Sequence, residues 1–454
     1  MKPIFAIMGH PNEGKSSVLS TLAEDDSVVI SSFPGETIVC RKFPFRVNGV
    51  TLLEFVDTPG FQNPTASLRW MRNCGRTDTE LIEAFIEEHN EQCSFHHDCE
   101  LLKPLQEGAG VIYVVDASRP LMEVDIAEME ILRLINRPRM AIINFKKDDS
   151  SYVEEWKTSL RRHFNVIREF NAHEAKFSER IALFEALRVV QQEWEQAIND
   201  AVEAIYRDWK YRKSRVAEII AEALAEAVSL KIEKSFTRES DAEAVRESAL
   251  ASYRKKLEKT EKRLFGRIRD LYRHHVYEFR IPASSLLHEG LFSEKTWQIM
   301  GLKKTQLIWT AAGAGAGIGA MLDVAASGLT FGIFSTTGAI LGGGGVLLKA
   351  KDLAKVRLRG IPLGGSKVVI GPNRNPQFPF IFLDRALLYF KETIRHAHGK
   401  RTSDEHKTEE ASFFVDAPAN RLKSLGKAAT GGFHADQGAL VEQIEFWLNR
   451  VSEE

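Results

Sequence analysis

Gly9, Gly14, Lys15 and Ser16 stand in the spacing Gly-x-x-x-x-Gly-Lys-Ser, directly after the apolar run Ile4–Met8 and before a helix-forming run. That order suits the cradling of a polyphosphate. The glycines let successive backbone N–H groups turn inward toward phosphate oxygens, and the N-terminus of the following helix favours the anion. In such a loop Lys15 reaches the β- and γ-phosphates and the Ser16 hydroxyl ligates Mg²⁺. Further on, Asp57-Thr58-Pro59-Gly60 closes another apolar run, Leu52–Val56. A carboxylate there can hold a Mg²⁺-bound water, and the Gly60 amide can meet a γ-phosphate. Between the two lies Pro34-Gly35-Glu36-Thr37, where Thr37 can offer its hydroxyl to Mg²⁺ when the γ-phosphate is present. A simple turn threonine is the competing reading, since Pro-Gly marks turns.

These groups need a scaffold that delivers loops to one edge. Short apolar runs at Ile4–Met8, Leu52–Val56, Gly110–Val115, Met140–Asn144 and Asn165–Phe170 alternate with helix-length segments, which predicts a parallel sheet covered by helices on both faces. Asn48-Gly49 between Phe43–Val47 and Val50–Val56 predicts a hairpin and one antiparallel edge strand. The expected fold class is therefore a three-layer α/β nucleotide-binding domain over residues 1–175, with an insertion at about 62–106, followed by a mostly helical region.

Behind residue 175 the period changes. Leu183, Leu187, Val190, Trp194, Ile198, Ala201, Ile205 and Trp209 recur at steps of three and four, the apolar face of one long helix. A second face runs through Tyr253, Leu257, Leu264, Ile268 and Leu271. The basic strip beside it, from Arg254 to Arg269, is expected as a solvated face, with lipid phosphate as the alternative. Residues 176–304 read as helical. Residues 305–348 carry one charge, Asp323, in a Gly/Ala-rich apolar stretch flanked by Lys303, Lys304, Lys349 and Lys351. Its two halves are each about the length of a bilayer span of ~20 residues. Small residues such as Gly313, Gly317, Gly338 and Gly342 also suit a tightly packed helical hairpin. Residues 349–454 read as a small mixed α/β tail, with strand-like runs at Lys367–Ile370 and Phe378–Leu383 and a last amphipathic helix near Leu440–Val451.

Composition bounds these readings. The 454 residues exceed one ordinary core, and 27% charged with 44% hydrophobic residues is a globular balance. A net charge of −1 gives no indication of nucleic acid. Four cysteines argue for a reducing compartment without a disulfide framework. No secretory signal is evident, because the run Pro3–Met8 is short and leads straight into a glycine motif. Residence on the cytoplasmic side is expected, with peripheral or integral attachment at the cytoplasmic face of the inner membrane through 305–348 as its extension.

Gly9-x-Pro11-Asn12-x-Gly14-Lys15-Ser16-Ser17, Pro34-Gly35-x-Thr37 and Asp57-Thr58-Pro59-Gly60 together resemble the P-loop GTPases of the Era, EngA and MnmE (TrmE) group, over about residues 1–175. The whole chain is similar to a bacterial family that joins such a G domain to a C-terminal domain of unknown function. That likeness rests on Gly9-His10-Pro11-Asn12-Glu13-Gly14-Lys15, Cys99-Glu100-Leu101-Leu102 and Phe170-Asn171-Ala172-His173. The resemblance implies GTP and GDP as ligands, with Gly9, Asn12, Glu13, Gly14, Lys15, Ser16 and Ser17 at the phosphates. It implies Lys15, Thr37 and Gly60 as the catalytic set, and Ser16, Thr37 and Asp57 at Mg²⁺. Asn12 matches an asparagine that in the relatives helps hold a potassium ion where other GTPases use an arginine finger, although a loop asparagine also suits a turn.

Two departures matter. Phe61 stands where many GTPases carry a glutamine that orients water, so hydrolysis is expected to be slow or aided by other groups. The relatives' Asn-Lys-x-Asp motif is matched here by Asn144-Phe145-Lys146-Lys147-Asp148-Asp149, with the aspartate one residue late. Phe145 or Lys146 could cover the base face while Asp148 reads its edge. Asn171-Ala172-His173 resembles the motif whose amide, here that of Ala172, meets the guanine oxygen. Guanine is favoured, and adenine stays open.

The implied activity is a GTP-driven conformational switch with an unidentified effector and a G-domain homodimer as candidate partners. The competing class is a nucleotide-gated membrane or scaffold protein with little turnover. Cys93, His96, His97 and Cys99 have zinc-like spacing. With no second paired cluster, a packed or solvated loop is the expectation there. His274, His275, His396 and His398 read as surface residues.

Overall fold

In the computed structural model, the described residues are 2–23, 39–144 (except 48, 91 and 92), 151–171, 177–272, 285–300 (except 294, 295, 297 and 298), 341–342, 357–358, 361–362, 366–395 (except 374), 412–430 and 437–453. Thr37, Lys146, Asp148, Ala172, His274, His275, His396, His398 and nearly all of 305–348 lie outside them.

Six strands form one sheet: β1 (Ile4–Met8), β2 (Arg41–Val47), β3 (Val50–Asp57), β4 (Gly110–Asp116), β5 (Arg139–Asn144) and β6 (Val166–Glu169). Their order is β2-β3-β1-β4-β5-β6, parallel throughout except for the β2–β3 hairpin. Alternate residues of each strand face opposite sides, as a pleat requires. Ala6, Met8, Val111, Tyr113 and Val115 enter one apolar core, while Phe5, Ile7, Ile112 and Val114 enter the other. The first core is covered by α2 (Pro64–Cys74), α3 (Asp78–His89), α4 (His96–Gln106), α5 (Glu123–Ile135) and α6 (Val153–Leu160). The second is covered by α1 (Lys15–Ala23), α7 (Phe177–Arg188) and the start of α8 (Glu195–Ser229).

The face read as one helix from Leu183 to Trp209 is two helices, separated by a turn at 189–191 and a short 3₁₀ stretch at Gln192–Trp194. The period survives the break because both pieces bury their apolar side on the same core. Trp194 meets Phe5 edge-on at 5.0 Å, and a Cβ on Gly110 would come within 2.7 Å of its ring. The first compact unit accordingly runs through Tyr211.

The second unit is built from Arg212–Tyr272 and the described parts of Arg280–Thr393 and Ser403–Glu454. Here β7 (Ile232–Phe236) pairs antiparallel with β8 (Ser366–Ile370), and Leu341–Gly342 adds a short strand on the other edge. α9 (Ala242–Leu271) packs on β7 and β8, and α10 (Phe378–Arg395), α11 (Ala419–Thr430) and α12 (Gln437–Glu453) follow along the chain. Phe378–Leu383, read as a strand, is the first turn and a half of α10. An apolar run of six cannot separate strand from buried helix, and here the helix is buried almost all round. The buried Arg385 of α10 forms an ion pair with Glu261 of α9 at 2.5 Å and donates to the carbonyls of Leu286 and Glu289. On the basic strip, Arg263 and Arg267 pair with Glu226 and Glu222 of α8. No helix among the described residues is long and apolar enough to cross a membrane.

Candidate functional site

The loop 9–14 leaves the C-terminal end of β1, and neighbouring registers bring the other candidates to the same edge. Ile7 lies beside Asp57, Met8 beside Tyr113, and Asp116 beside Asn144. Ligands of open α/β sheets bind at this carboxyl edge. Gly9 has φ of 137° and packs so closely on β4 that a Cβ would stand 2.2 Å from the Val114 carbonyl oxygen. Asn12 takes a left-handed conformation, φ 67°, which asparagine tolerates better than most residues.

Lys15, only 8% exposed, donates from Nζ to the carbonyls of Gly9 and His10, each at 3.0 Å, and so spans the mouth of the loop. The Ser16 hydroxyl lies 3.5 Å from Asp57 Oδ2. Asp57 itself is 4% exposed. A hydroxyl beside a carboxylate is a hard-oxygen donor pair that fits Mg²⁺, an ion that commonly takes one or two protein ligands and completes its shell with water and phosphate.

The Asp57–Gly60 loop is fastened to β1 and lies against the phosphate loop. Thr58 Oγ1 donates to the Ile7 carbonyl at 2.7 Å. Gly60 lies flat on Pro11, where a Cβ would come within 2.6 Å of the proline ring, so glycine is demanded by space. Phe61 is 3% exposed and belongs to the core under α2–α6. Asn144 is fully buried, and its Nδ2 donates to the Glu13 carbonyl at 3.1 Å, tying the β5 end to the phosphate loop.

Three features escape a motif-level reading. The Glu13 side chain does not face the loop's mouth. It accepts from the Asp116 amide and pairs with Arg119 at 2.7 Å, while Arg119 also grips Asp125 at 2.7 Å and lies 5.2 Å over the Trp156 ring. The sequence signal was an acid inside a phosphate loop, which demands a cation. Next, His10 Nδ1 lies 3.0 Å from the buried Glu128, which also accepts from Tyr113 Oη at 2.8 Å. The hydrogen bond between His10 and Glu128 is the main cause that raises the His10 pKa. Finally, Asp98 of α4 reaches the residues after Phe61. The zinc-like cluster around it is no loop: His96, His97 and Cys99 begin α4, with His96 exposed and Cys99 buried. Among the described residues no group of three or more His, Cys, Asp or Glu is placed to hold a metal.

Comparison with known proteins bears on this geometry. Residues 157–438, more than half of the chain, match the family described as a domain of unknown function, DUF3482. The chain belongs to the DUF3482 family. Residues 4–145 of this DUF3482 protein match the family described as 50S ribosome-binding GTPase. The chain is 25% identical over 163 residues to the tRNA modification GTPase MnmE of Pseudothermotoga lettingae, covering 36% of this chain and 30% of the relative. It is 27% identical over 173 residues to GTPase Der of Symbiobacterium thermophilum, covering 37% and 31%. The DUF3482 protein thus spans about three tenths of the length of these curated relatives. A solved structure of Aquifex aeolicus Era bound to GDP and AlF4⁻ shares 16% identity with a TM-score of 0.27, covering 59% of this chain and 90% of that one. The N-terminal part of the DUF3482 protein is thus similar to the P-loop GTPase domains of MnmE and Der.

Proposed function

We propose that the chain is a Mg²⁺-dependent conformational switch that binds GTP and hydrolyses it slowly, with nucleotide held by residues 1–175 and the response carried by the rest. The single observation that carries this is the meeting of the Gly9–Ser16 loop and the Asp57–Gly60 loop at one sheet edge, with Gly60 against Pro11 and Ser16 beside Asp57. Lys15 leaves its two carbonyl partners for the β- and γ-phosphates, and the amides of Gly9, Asn12, Glu13, Gly14, Ser16 and Ser17 line the phosphate cradle. When bound, Mg²⁺ would supply positive charge against the phosphate oxygens. Ser16, Thr37 and Asp57 are the residues that hold it. Gly60 and Thr37 sense the γ-phosphate. Asn144, Lys146, Asp148 and the Ala172 amide serve the base, and Asn12 serves potassium. An effector protein and a second G domain are the partners this reading assigns.

The burial of Phe61 favours a second reading, a nucleotide-gated scaffold with little turnover, because no glutamine stands there to orient water. One experiment separates them: nucleotide titration of the full chain followed by single-turnover hydrolysis in potassium and in sodium. The switch reading expects GTP to outcompete ATP and hydrolysis to run faster in potassium, with Asn12→Ala erasing the difference. Equal competition by ATP would overturn guanine selectivity. Tight binding without hydrolysis in either salt would establish the scaffold.

A further inference from the structure

We propose that Asp98 is a positioning residue for this switch, and that α4, within the insertion at about 62–106, is the element that registers whether a γ-phosphate is present. The inference rests on the GTPase reading above.

The Asp98 carboxylate is fully buried. Its Oδ1 accepts from the Gln62 amide at 2.7 Å, and its Oδ2 accepts from the Asn63 amide at 3.1 Å and the Ser67 hydroxyl at 2.8 Å. Gln62 and Asn63 begin two residues after Gly60, the residue assigned to the γ-phosphate. A displacement of Gly60 therefore reaches Asp98 within two peptide units. Between them Phe61 is sunk in the core, which leaves the backbone little freedom to absorb the movement. Asn63 Nδ2 also donates to the Ser94 carbonyl at 2.6 Å, so the residues just before α4 share the grip.

The same helix also holds Cys40. Two residues beyond Asp98, Glu100 Oε1 accepts from the Cys40 amide at 3.4 Å, and the Glu100 carbonyl accepts from Cys40 Sγ at 3.2 Å. Cys40 follows Thr37 by three residues. One helix is thus bonded to the backbone downstream of both residues that the functional reading assigns to the γ-phosphate.

The chemistry of the clamp is specific to a carboxylate. Three donors converge on two oxygens, and an ionised carboxylate offers only acceptors. An amide in its place turns one acceptor into a donor, facing N–H groups that have no other described partner. The bland alternative is that Asp98 merely caps the N-terminus of α2, a service worth stability but indifferent to nucleotide.

The test uses the full chain with Asp98→Asn and Ser67→Ala, measuring affinity for GDP, affinity for a non-hydrolysable GTP analogue, single-turnover hydrolysis and amide hydrogen exchange at Gln62 and Asn63. Asp98→Asn is expected to keep GDP affinity within about twofold while analogue affinity and hydrolysis each fall about tenfold, the scale of one hydrogen bond to a charged group. Ser67→Ala, which leaves both amide bonds in place, is expected to lose about two- to threefold on the same two measures. In the wild type, analogue binding should slow exchange at Gln62 and Asn63 relative to GDP. Equal losses for GDP and analogue in Asp98→Asn would show a cap and overturn the proposal. Should that variant not fold, identical exchange in the wild type's GDP and analogue states overturns it as well. A wild type that binds no guanine nucleotide fails one step earlier, at the GTPase reading itself.

Discussion

At the scale of single residues the site depends on charge placed where phosphate arrives. Lys15 is held by the carbonyls of Gly9 and His10, a position from which a short swing of the amine reaches an anion. Lys15→Ala should weaken nucleotide binding by about a hundredfold, or ~3 kcal/mol for charge-assisted bonds lost. Thermal unfolding of the second unit should be unchanged. Fluorescent-nucleotide titration checks the first expectation, and a mutant binding as tightly as the wild type would remove Lys15 from the phosphate site. That the Gly9–Ser16 and Asp57–Gly60 loops meet at one sheet edge was legible from type and spacing, because each motif directly follows an apolar strand run. Glu13 was not legible as an outward-facing group. Its direction is decided by Arg119, more than a hundred residues away in sequence, and no spacing rule carries that.

At the scale of elements, the strands were readable because each alternates between two cores, and the hairpin because Asn48-Gly49 sits between two such runs. Helix boundaries were harder. The break before α8 follows from Trp194 seating itself on Phe5 and Gly110, a tertiary demand invisible in a period that both helices keep. Two predictions belong here. The Glu13–Arg119–Asp125 chain ties the phosphate loop to α5, and Arg119→Ala leaves two buried carboxylates facing each other. The first unit should lose about 2–3 kcal/mol, less than a fully buried pair because Arg119 keeps some exposure. Melting curves check it, and adding Glu13→Gln should restore part of the loss. The second concerns Glu130 of α5, whose pKa is lowered to about 2, chiefly by its hydrogen bond from Arg133 and also by Arg72 of α2. A depressed carboxylate stabilises above its ordinary value of 4.5, and the contribution is lost as pH falls from there toward 2. Arg133 is well exposed, so solvent screening trims the gain to about 1 kcal/mol. Glu130→Gln should flatten the stability profile between those limits and leave its slope above pH 5 unchanged, as denaturant titrations at stepped pH would record.

At the scale of the whole molecule, membrane attachment through 305–348 is the remaining expectation. Its support is composition: uncharged stretches on either side of Asp323, bounded by lysines. Cells expressing the full chain and a form lacking 305–348 should differ on fractionation, with the intact chain partly sedimenting with membranes in the GTP-analogue state. If both remain in the supernatant in either nucleotide state, the attachment is disproved. A separate consequence follows from the pairing of β7 with β8, in which Phe236 meets Ser366 and Ile370 meets Ile232. The first unit's sheet is complete once β6 has been synthesised, yet β7 waits for a partner translated more than a hundred residues later. During that interval, about 6–30 s at ordinary elongation rates of 5–20 residues per second, the apolar side of α9 at Tyr253, Leu257, Leu264 and Ile268 has neither β8 nor α10 available to cover it. A ribosome pausing in this stretch would leave the first unit's six-stranded sheet complete and the apolar side of α9 uncovered. Nascent chains arrested there should be the ones that recruit chaperones.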